Sequence, residues 1–166
     1  LEATADGTIT FVNNAAGAVT YSVDGGASQT IASNTSENIN VTAGQTVAFF
    51  GDNATYYDAV NDVNSNITGT VDFYAYGNIM SLVSSTGYDT ATTLSGDYAF
   101  IALFNGANKL KNHPSNFLVL PATTLTEGCY YRMFNGCTSL TSAPALTADV
   151  LANYCYLDMF IGCSSL

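Results

Sequence analysis

Basic residues are nearly missing from this chain of 166 residues: Lys plus Arg total 3, Asp plus Glu total 13, and the formal net charge is −10. A surface so poor in cations cannot neutralise phosphates, which excludes nucleic acid as the expected partner. It equally disfavours attraction to an anionic membrane surface. No run of 18 apolar residues occurs, so no bilayer-spanning helix is encoded and no membrane insertion is expected. The opening Leu1-Glu2-Ala3-Thr4 has no Met and no charged-then-apolar signal pattern, as expected of a mature or trimmed chain. Catalytic patterns are missing too. There is no Gly-x-Ser-x-Gly elbow and no glycine loop of the phosphate-cradling kind. The single histidine, His113, sits in the turn-like connector Lys111-Asn112-His113-Pro114. What remains is a neutral-polar chain rich in Gly, Thr, Ser, Asn and Tyr, with only 10% charged residues. That style suits secreted β-proteins and fibres better than a cytosolic enzyme.

The few charges are unevenly placed. Residues 1–108 hold ten acids and no Lys or Arg, while Lys109, Lys111 and Arg132 balance Glu127, Asp149 and Asp158 in the remainder. All four cysteines also lie after residue 128. Two compositional shifts at one place predict a boundary near residues 90–115.

Before that boundary the sequence alternates with period two. The runs are Thr8-Ile9-Thr10-Phe11, Val19 to Val23, Ile39-Asn40-Val41, Thr46 to Phe49 and Val71 to Tyr76. Alternation with β-branched and aromatic residues predicts half-buried strands. Asp24-Gly25-Gly26 supplies residues that tolerate positive φ, as a tight hairpin requires. Ala43-Gly44-Gln45 and Gly51-Asp52-Asn53 are further turn signals. Together they predict a small antiparallel β-sandwich over residues 1–82.

Beyond the boundary the sequence repeats. Leu125 to Leu140 matches Leu151 to Leu166, with Cys129 to Cys155 and Cys137 to Cys163 both offset by 26. A blurred copy precedes them: Leu103 to Leu110 matches Met133 to Leu140 at an offset of 30, with Ala99 and Ala107 where cysteines stand later. A degenerate first copy is what a capping repeat requires, because it meets a different neighbour. Leu125, Cys129 and Met133 fall four residues apart, as do Leu151, Cys155 and Met159, which predicts one stripe of a short helix in each copy. Thr124 with Glu127 fits a capping box, Asn135-Gly136 and Gly162 fit left-handed helix stops, and Thr138 to Ala143 is expected to run extended. A period of 26 with one strand and one short helix lies within the leucine-rich-repeat range. The expected fold is therefore mainly β with short helices: an N-terminal β-sandwich, then a leucine-rich-repeat-like solenoid. Residues 83–117 are expected as junction and degenerate cap, and residues 118–166 as the repeats, cut within a longer array.

The phrases Leu120-Pro121-Ala122-Thr123-Thr124-Leu125, Cys129-Tyr130, Met133-Phe134, Gly136-Cys137-Thr138-Ser139-Leu140 and Ala143-Pro144 resemble the BspA-like leucine-rich repeats of bacterial surface proteins and phage-encoded adhesin-like proteins. Tyr21 to Gly26, Ala43 to Val47, Phe50 to Asn53 and Tyr76 to Leu82 resemble the immunoglobulin-like domain that often precedes them. The resemblance covers roughly residues 19–166. It implies surface attachment and binding, without a shared catalytic site.

Three groups of residues are candidates for chemistry. Cys129, Cys137, Cys155 and Cys163 could be disulfide partners or small buried thiols. Residues eight apart on an uninterrupted helix lie about 12 Å apart, too far to bond, whereas a turn at Gly136 or Gly162 could bring them together. Both alternatives stay open, and the spacing is poor for zinc. Asp52, Asp58 and Asp62 cluster in a loop-like stretch and are weak calcium candidates, since the EF-hand order is absent. Tyrosines are the main binding candidates, because exposed tyrosine gives large contact area at low entropy cost. Tyr56 and Tyr57 lie on the first half, and Tyr131 and Tyr154 are read as unrepeated positions in the second, freer to serve function.

The sequence thus predicts an extracellular adhesion or binding module, at a cell or virion surface, that recognises a glycan or protein ligand. No catalysis and no cofactor are expected. The alternative is a structural subunit of a surface fibre or virion appendage that self-assembles as a homo-oligomer or filament.

Overall fold

A computed structural model describes residues 1–166. The fold is mainly β, built from small sheets with no closed barrel. Two three-stranded antiparallel sheets occupy the first 69 residues. In one, Gly7–Asn13 lies between Thr35–Val41 and Asn66–Gly69. In the other, Val19–Val23 lies between Gln29–Ile31 and Val47–Gly51. Period-two alternation turns Ile9 and Phe11 of the first sheet inward with Ile39, Val41 and Ile67. The second sheet contributes Val19, Tyr21, Val47 and Phe49, and the Phe11 and Phe49 rings meet at 5.0 Å. Asp24 and Gly25 both take positive φ (48° and 68°), as the hairpin signal required.

The expected strand over Val71 to Tyr76 shrinks to Phe73–Tyr74. It pairs antiparallel with Glu2–Ala3 and parallel with Leu110–Lys111, outside both larger sheets. Leu118–Val119 pairs in parallel with Gly77–Asn78. These pairings tie the two halves of the chain, and one continuous core runs from Ala3 to Met159.

The repeats differ from expectation. The only helical element in the chain is a 3₁₀ turn over Ile79–Leu82, so the helices predicted around Cys129 and Cys155 are absent. The reason lies in the backbone. Tyr98, Ala102 and Gly106 take left-handed φ, as do Gly128, Arg132 and Gly136, and Tyr154, Asp158 and Gly162. A left-handed residue every fourth position breaks any α-helix. Instead, the N–H groups of Ile101, Leu103, Asn105 and Ala107 each donate to the carbonyl three residues back. The alternate N–H groups reach into the next copy. Those of Tyr98, Phe100, Ala102, Phe104 and Gly106 donate to the carbonyls of Glu127, Cys129, Tyr131, Met133 and Asn135 at 2.7–2.9 Å. Those of Gly128, Tyr130, Arg132, Phe134 and Gly136 donate to Asn153, Cys155, Leu157, Met159 and Ile161 at 2.8–3.0 Å. Each copy is thus a ribbon of tight turns, held in register to its neighbour by a ladder. Aromatic rings stack along that direction: Phe100, Tyr130 and Tyr156 at 5.7 and 5.8 Å, and Phe104, Phe134 and Phe160 at 5.6 and 5.5 Å.

Two smaller expectations also change. Thr124 and Glu127 form no capping box; the Glu127 carboxylate accepts from the Tyr98 hydroxyl at 2.8 Å. Thr138 to Ala143 forms no strand; Asn112 Oδ1 accepts from the backbone N–H groups of Thr141 and Ser142 at 2.8 and 3.0 Å.

Candidate functional site

The short Tyr57–Asp58/Val63–Asn64 hairpin projects beside the first two repeat ribbons. A groove of about 340 Å³ lies between them, and Tyr57, Asp62, Asn64, Tyr98, Tyr131 and Arg132 line it. The tyrosines are held by their own neighbours. The Tyr57 hydroxyl donates to Asp62 Oδ1 at 2.8 Å, and the Tyr57 and Tyr98 rings pack at 5.4 Å. Both phenols sit above the ordinary tyrosine pKa, because each donates to a carboxylate, Asp62 for Tyr57 and Glu127 for Tyr98. They therefore stay neutral donors. The Arg132 guanidinium lies 4.8 Å from the centre of the Tyr131 ring and bonds Asp158 Oδ2 at 3.2 Å. Arg132 is exposed and Tyr98 half-buried, and Gly128 leaves room for the Tyr98 ring to lie against its backbone.

The structure thus brings Tyr57 and Tyr131 into one groove and separates the other tyrosine candidates. Tyr56 is fully buried, with its hydroxyl donating to the Leu82 carbonyl at 2.7 Å, so it is a core residue and unavailable to a ligand. Tyr154 is 61% exposed but lies outside the groove. It is also a repeated position after all: Tyr98, Gly128 and Tyr154 are the first left-handed residue of successive ribbons. That equivalence is the signal by which Tyr98 could have been found. Nothing in the sequence marks Arg132 or Asn64, whose places depend on the ribbon and the hairpin.

The calcium candidates do not converge, and no three acidic, cysteine or histidine side chains form a metal-binding group. Asp52 accepts from the Ser85 backbone N–H and hydroxyl at 2.7 and 2.8 Å. Asp58 closes its own turn by accepting from Val60 and Asn61. Asp62 is engaged by Tyr57.

All four cysteines are free thiols. Cys137 Sγ donates to the Phe104 carbonyl at 3.1 Å, and Cys163 Sγ to the Phe134 carbonyl at 3.0 Å, so each adds a rung towards the preceding ribbon. Burial pushes the Cys129 and Cys137 thiols up to about 12, which keeps them protonated and unreactive. Comparison with known proteins finds no matching family model, no matching curated protein and no matching solved structure.

Proposed function

We propose that this chain is an extracellular, non-catalytic binding module of the BspA-like kind, displayed at a cell or virion surface, and that its tyrosine groove takes a glycan. The observation that carries this reading is the meeting of Tyr57, Tyr98 and Tyr131 with the polar groups of Asp62, Asn64 and Arg132 in one groove. Sugar rings offer C–H faces that pack on tyrosine and hydroxyls that meet amides and carboxylates. The surrounding charge selects further. Asp62 and Glu127 flank the tyrosines, and Arg132 is held by Asp158. A neutral glycan fits that margin better than a sialylated or sulfated one, which the chain's net charge of −10 repels. On this proposal the repeat half is a leucine-rich-repeat-like solenoid that presents one wall of the groove.

The test is a panel of neutral and acidic oligosaccharides against the intact chain. Tyr57→Ala and Tyr131→Ala are expected to weaken binding at least tenfold, and Tyr154→Ala to leave it unchanged. Binding that survives both groove substitutions would overturn the reading, and binding of proteins only would replace the glycan with a protein ligand.

Self-assembly is the second reading, favoured by an apolar cluster on the last ribbon: Val150, Leu151, Leu157, Ile161 and Leu166 are each 45–62% exposed. Head-to-tail stacking of copies meets an obstacle at the other end of the ladder. There Ile67 N–H donates to the Leu103 carbonyl at 2.7 Å, and Asn66 Nδ2 to those of Ala102 and Asn105. The Leu103 and Asn105 carbonyls on the acceptor face of the first ribbon are thus already taken. A concentration-independent monomer in light scattering would remove this reading.

A further inference from the structure

Away from the tyrosine groove, the loop over residues 110–120 and the loop over residues 140–147 enclose a second cavity of about 350 Å³. Its floor is apolar: Leu110, Leu120, Phe134 and Leu140 are each no more than 4% exposed, and Leu118 and Pro144 lie beside them. The cavity opens to solvent past Phe117, Ala143 and Ala145, which are exposed, so its apolar floor lies within reach of a ligand. It falls in the range of pockets that hold small organic ligands.

Lys111 is the one Lys, Arg, Asp or Glu among the side chains that line the cavity. Of the three Lys and Arg residues in the chain, Lys111 lines the cavity and Lys109 lies two residues away. Both ammonium groups share a single carboxylate, with Lys111 Nζ 2.6 Å and Lys109 Nζ 3.8 Å from Asp72. An ammonium has three donors, so Lys111 keeps two after Asp72 takes one. His113 also lines the cavity. Its Nδ1 accepts from the backbone N–H groups of Ser115 and Asn116 at 3.0 and 2.9 Å, which fixes the ring with the proton on Nε2. Tyr74 and Tyr76 pack edge-on against the ring at 5.1 and 4.9 Å. The Glu2 carboxylate lies 3.6 Å from His113 Nε2 and also accepts from the Tyr76 hydroxyl at 2.9 Å. Both lysines of the chain thus stand at one edge of the cavity, with a single carboxylate between them.

We infer that this cavity is a second binding site, for a small amphipathic anion: an aromatic or aliphatic body between Leu120, Phe134 and Leu140, with a carboxylate or sulfonate head on Lys111. It needs nothing from the tyrosine groove. Naphthalene-1-sulfonate is the probe, added to the intact chain with methyl groups followed by NMR. Saturable shifts are expected at Leu118, Leu120, Leu140 and Ala145. Neutral naphthalene is expected to bind several-fold more weakly, and Lys111→Gln to erase that difference. Ala143→Phe and Ala145→Phe, at exposed loop positions that need not disturb folding, are expected to lower affinity at least tenfold. Tyr131→Ala is expected to change nothing, which separates this site from the groove. Shifts confined to Leu151, Leu157 and Ile161, or no saturation below millimolar probe, overturn the proposal.

Discussion

The ribbon that starts at Leu125 and the ribbon that starts at Leu151 are near-copies in sequence and opposites in environment. Leu125 is 4% exposed, and Leu151 is 62% exposed. Leu140 is buried, and Leu166 is open. The middle ribbon has a ladder on both sides. The last has one, and the N–H groups of Tyr154, Tyr156, Asp158, Phe160 and Gly162 find no acceptor in the chain. The same side chains therefore stabilise by different amounts. The contribution of a repeat residue here belongs to its two neighbours more than to its own identity, as in any stacked array.

The largest effect that tests this contrast is a matched pair of truncations. Phe134 is buried and stacked on both faces, while Phe160 is stacked on one and partly exposed. Phe134→Ala should cost about 3–5 kcal/mol, and Phe160→Ala clearly less, by chemical denaturation. Equal costs would break the comparison. Hydrogen exchange sharpens it further. The N–H groups of Tyr130, Arg132 and Phe134 should exchange orders of magnitude more slowly than those of Tyr156, Asp158 and Phe160.

Next in size is a pair of single changes within the middle ribbon. Gly136 takes φ of 73°, so Gly136→Ala should cost about 1–2 kcal/mol from left-handed strain. Tyr130 carries a buried hydroxyl with no partner, and the first ribbon has Phe100 in its place. Tyr130→Phe should therefore be neutral or stabilising by up to about 1 kcal/mol, whereas a loss on that change would mean that the hydroxyl has a partner.

The thiols extend the contrast to reactivity. Cys137 is buried, with its thiol pushed up to about 12, and Cys163 is partly open. A thiol reagent near pH 8 should reach Cys163 first and Cys137 only on unfolding, with four thiols titrating under denaturing, non-reducing conditions. Fewer than four would restore the disulfide alternative. The sign also gives a pH limit. Raised thiol pKa values add stability that is intact below the ordinary thiol range near 8.5 and is lost as pH rises towards about 12. At the acid end, Asp24, Asp52, Asp58 and Asp72 are all held below the usual carboxylate value. The causes are the Thr46 backbone N–H for Asp24, the Ser85 backbone N–H for Asp52, the Asn61 side chain for Asp58 and Lys111 for Asp72. Their stability is full above about pH 4 and disappears as pH falls below it, so acid melting should report on the first half of the chain.

The sheets were more legible in the sequence than the ribbons, for a physical reason. Period two has one structural meaning, and Ile9, Phe11, Val19 and Tyr21 point inward as it requires. Gln29–Ile31 and Asn66–Gly69 escaped because three or four polar-rich residues carry too little alternation to stand out. A four-residue apolar spacing has two meanings. Leu125, Cys129 and Met133 suit a helix stripe, and they equally suit a chain that turns left-handed every fourth residue. Gly128 distinguished the two, since its left-handed φ falls inside the expected helix. The groove was legible in part. Tyr57 and Tyr131 were marked by composition and position, whereas Tyr56, in the bend just before the Tyr57–Asp58 strand, sends its ring into the core.

The smallest expected effect lies on the one ion pair that joins the compared ribbons. Arg132 and Asp158 occupy equivalent left-handed positions, and Arg132 Nε and Nη2 both donate to Asp158 Oδ2 at 3.2 Å. Both side chains are part exposed, at 47% and 30%, so solvent screens the pair. Asp158→Asn should cost about 0–1 kcal/mol, and less in high salt. Its larger consequence concerns the groove. On the proposed glycan-binding role, releasing Arg132 from Asp158 leaves a free guanidinium beside Tyr131 and is expected to shift preference towards acidic glycans. A variant that keeps its stability and gains affinity for sialylated or sulfated oligosaccharides would show that the last ribbon, half-open as it is, sets the charge of a site it does not line. Unchanged preference would confine its influence to packing alone.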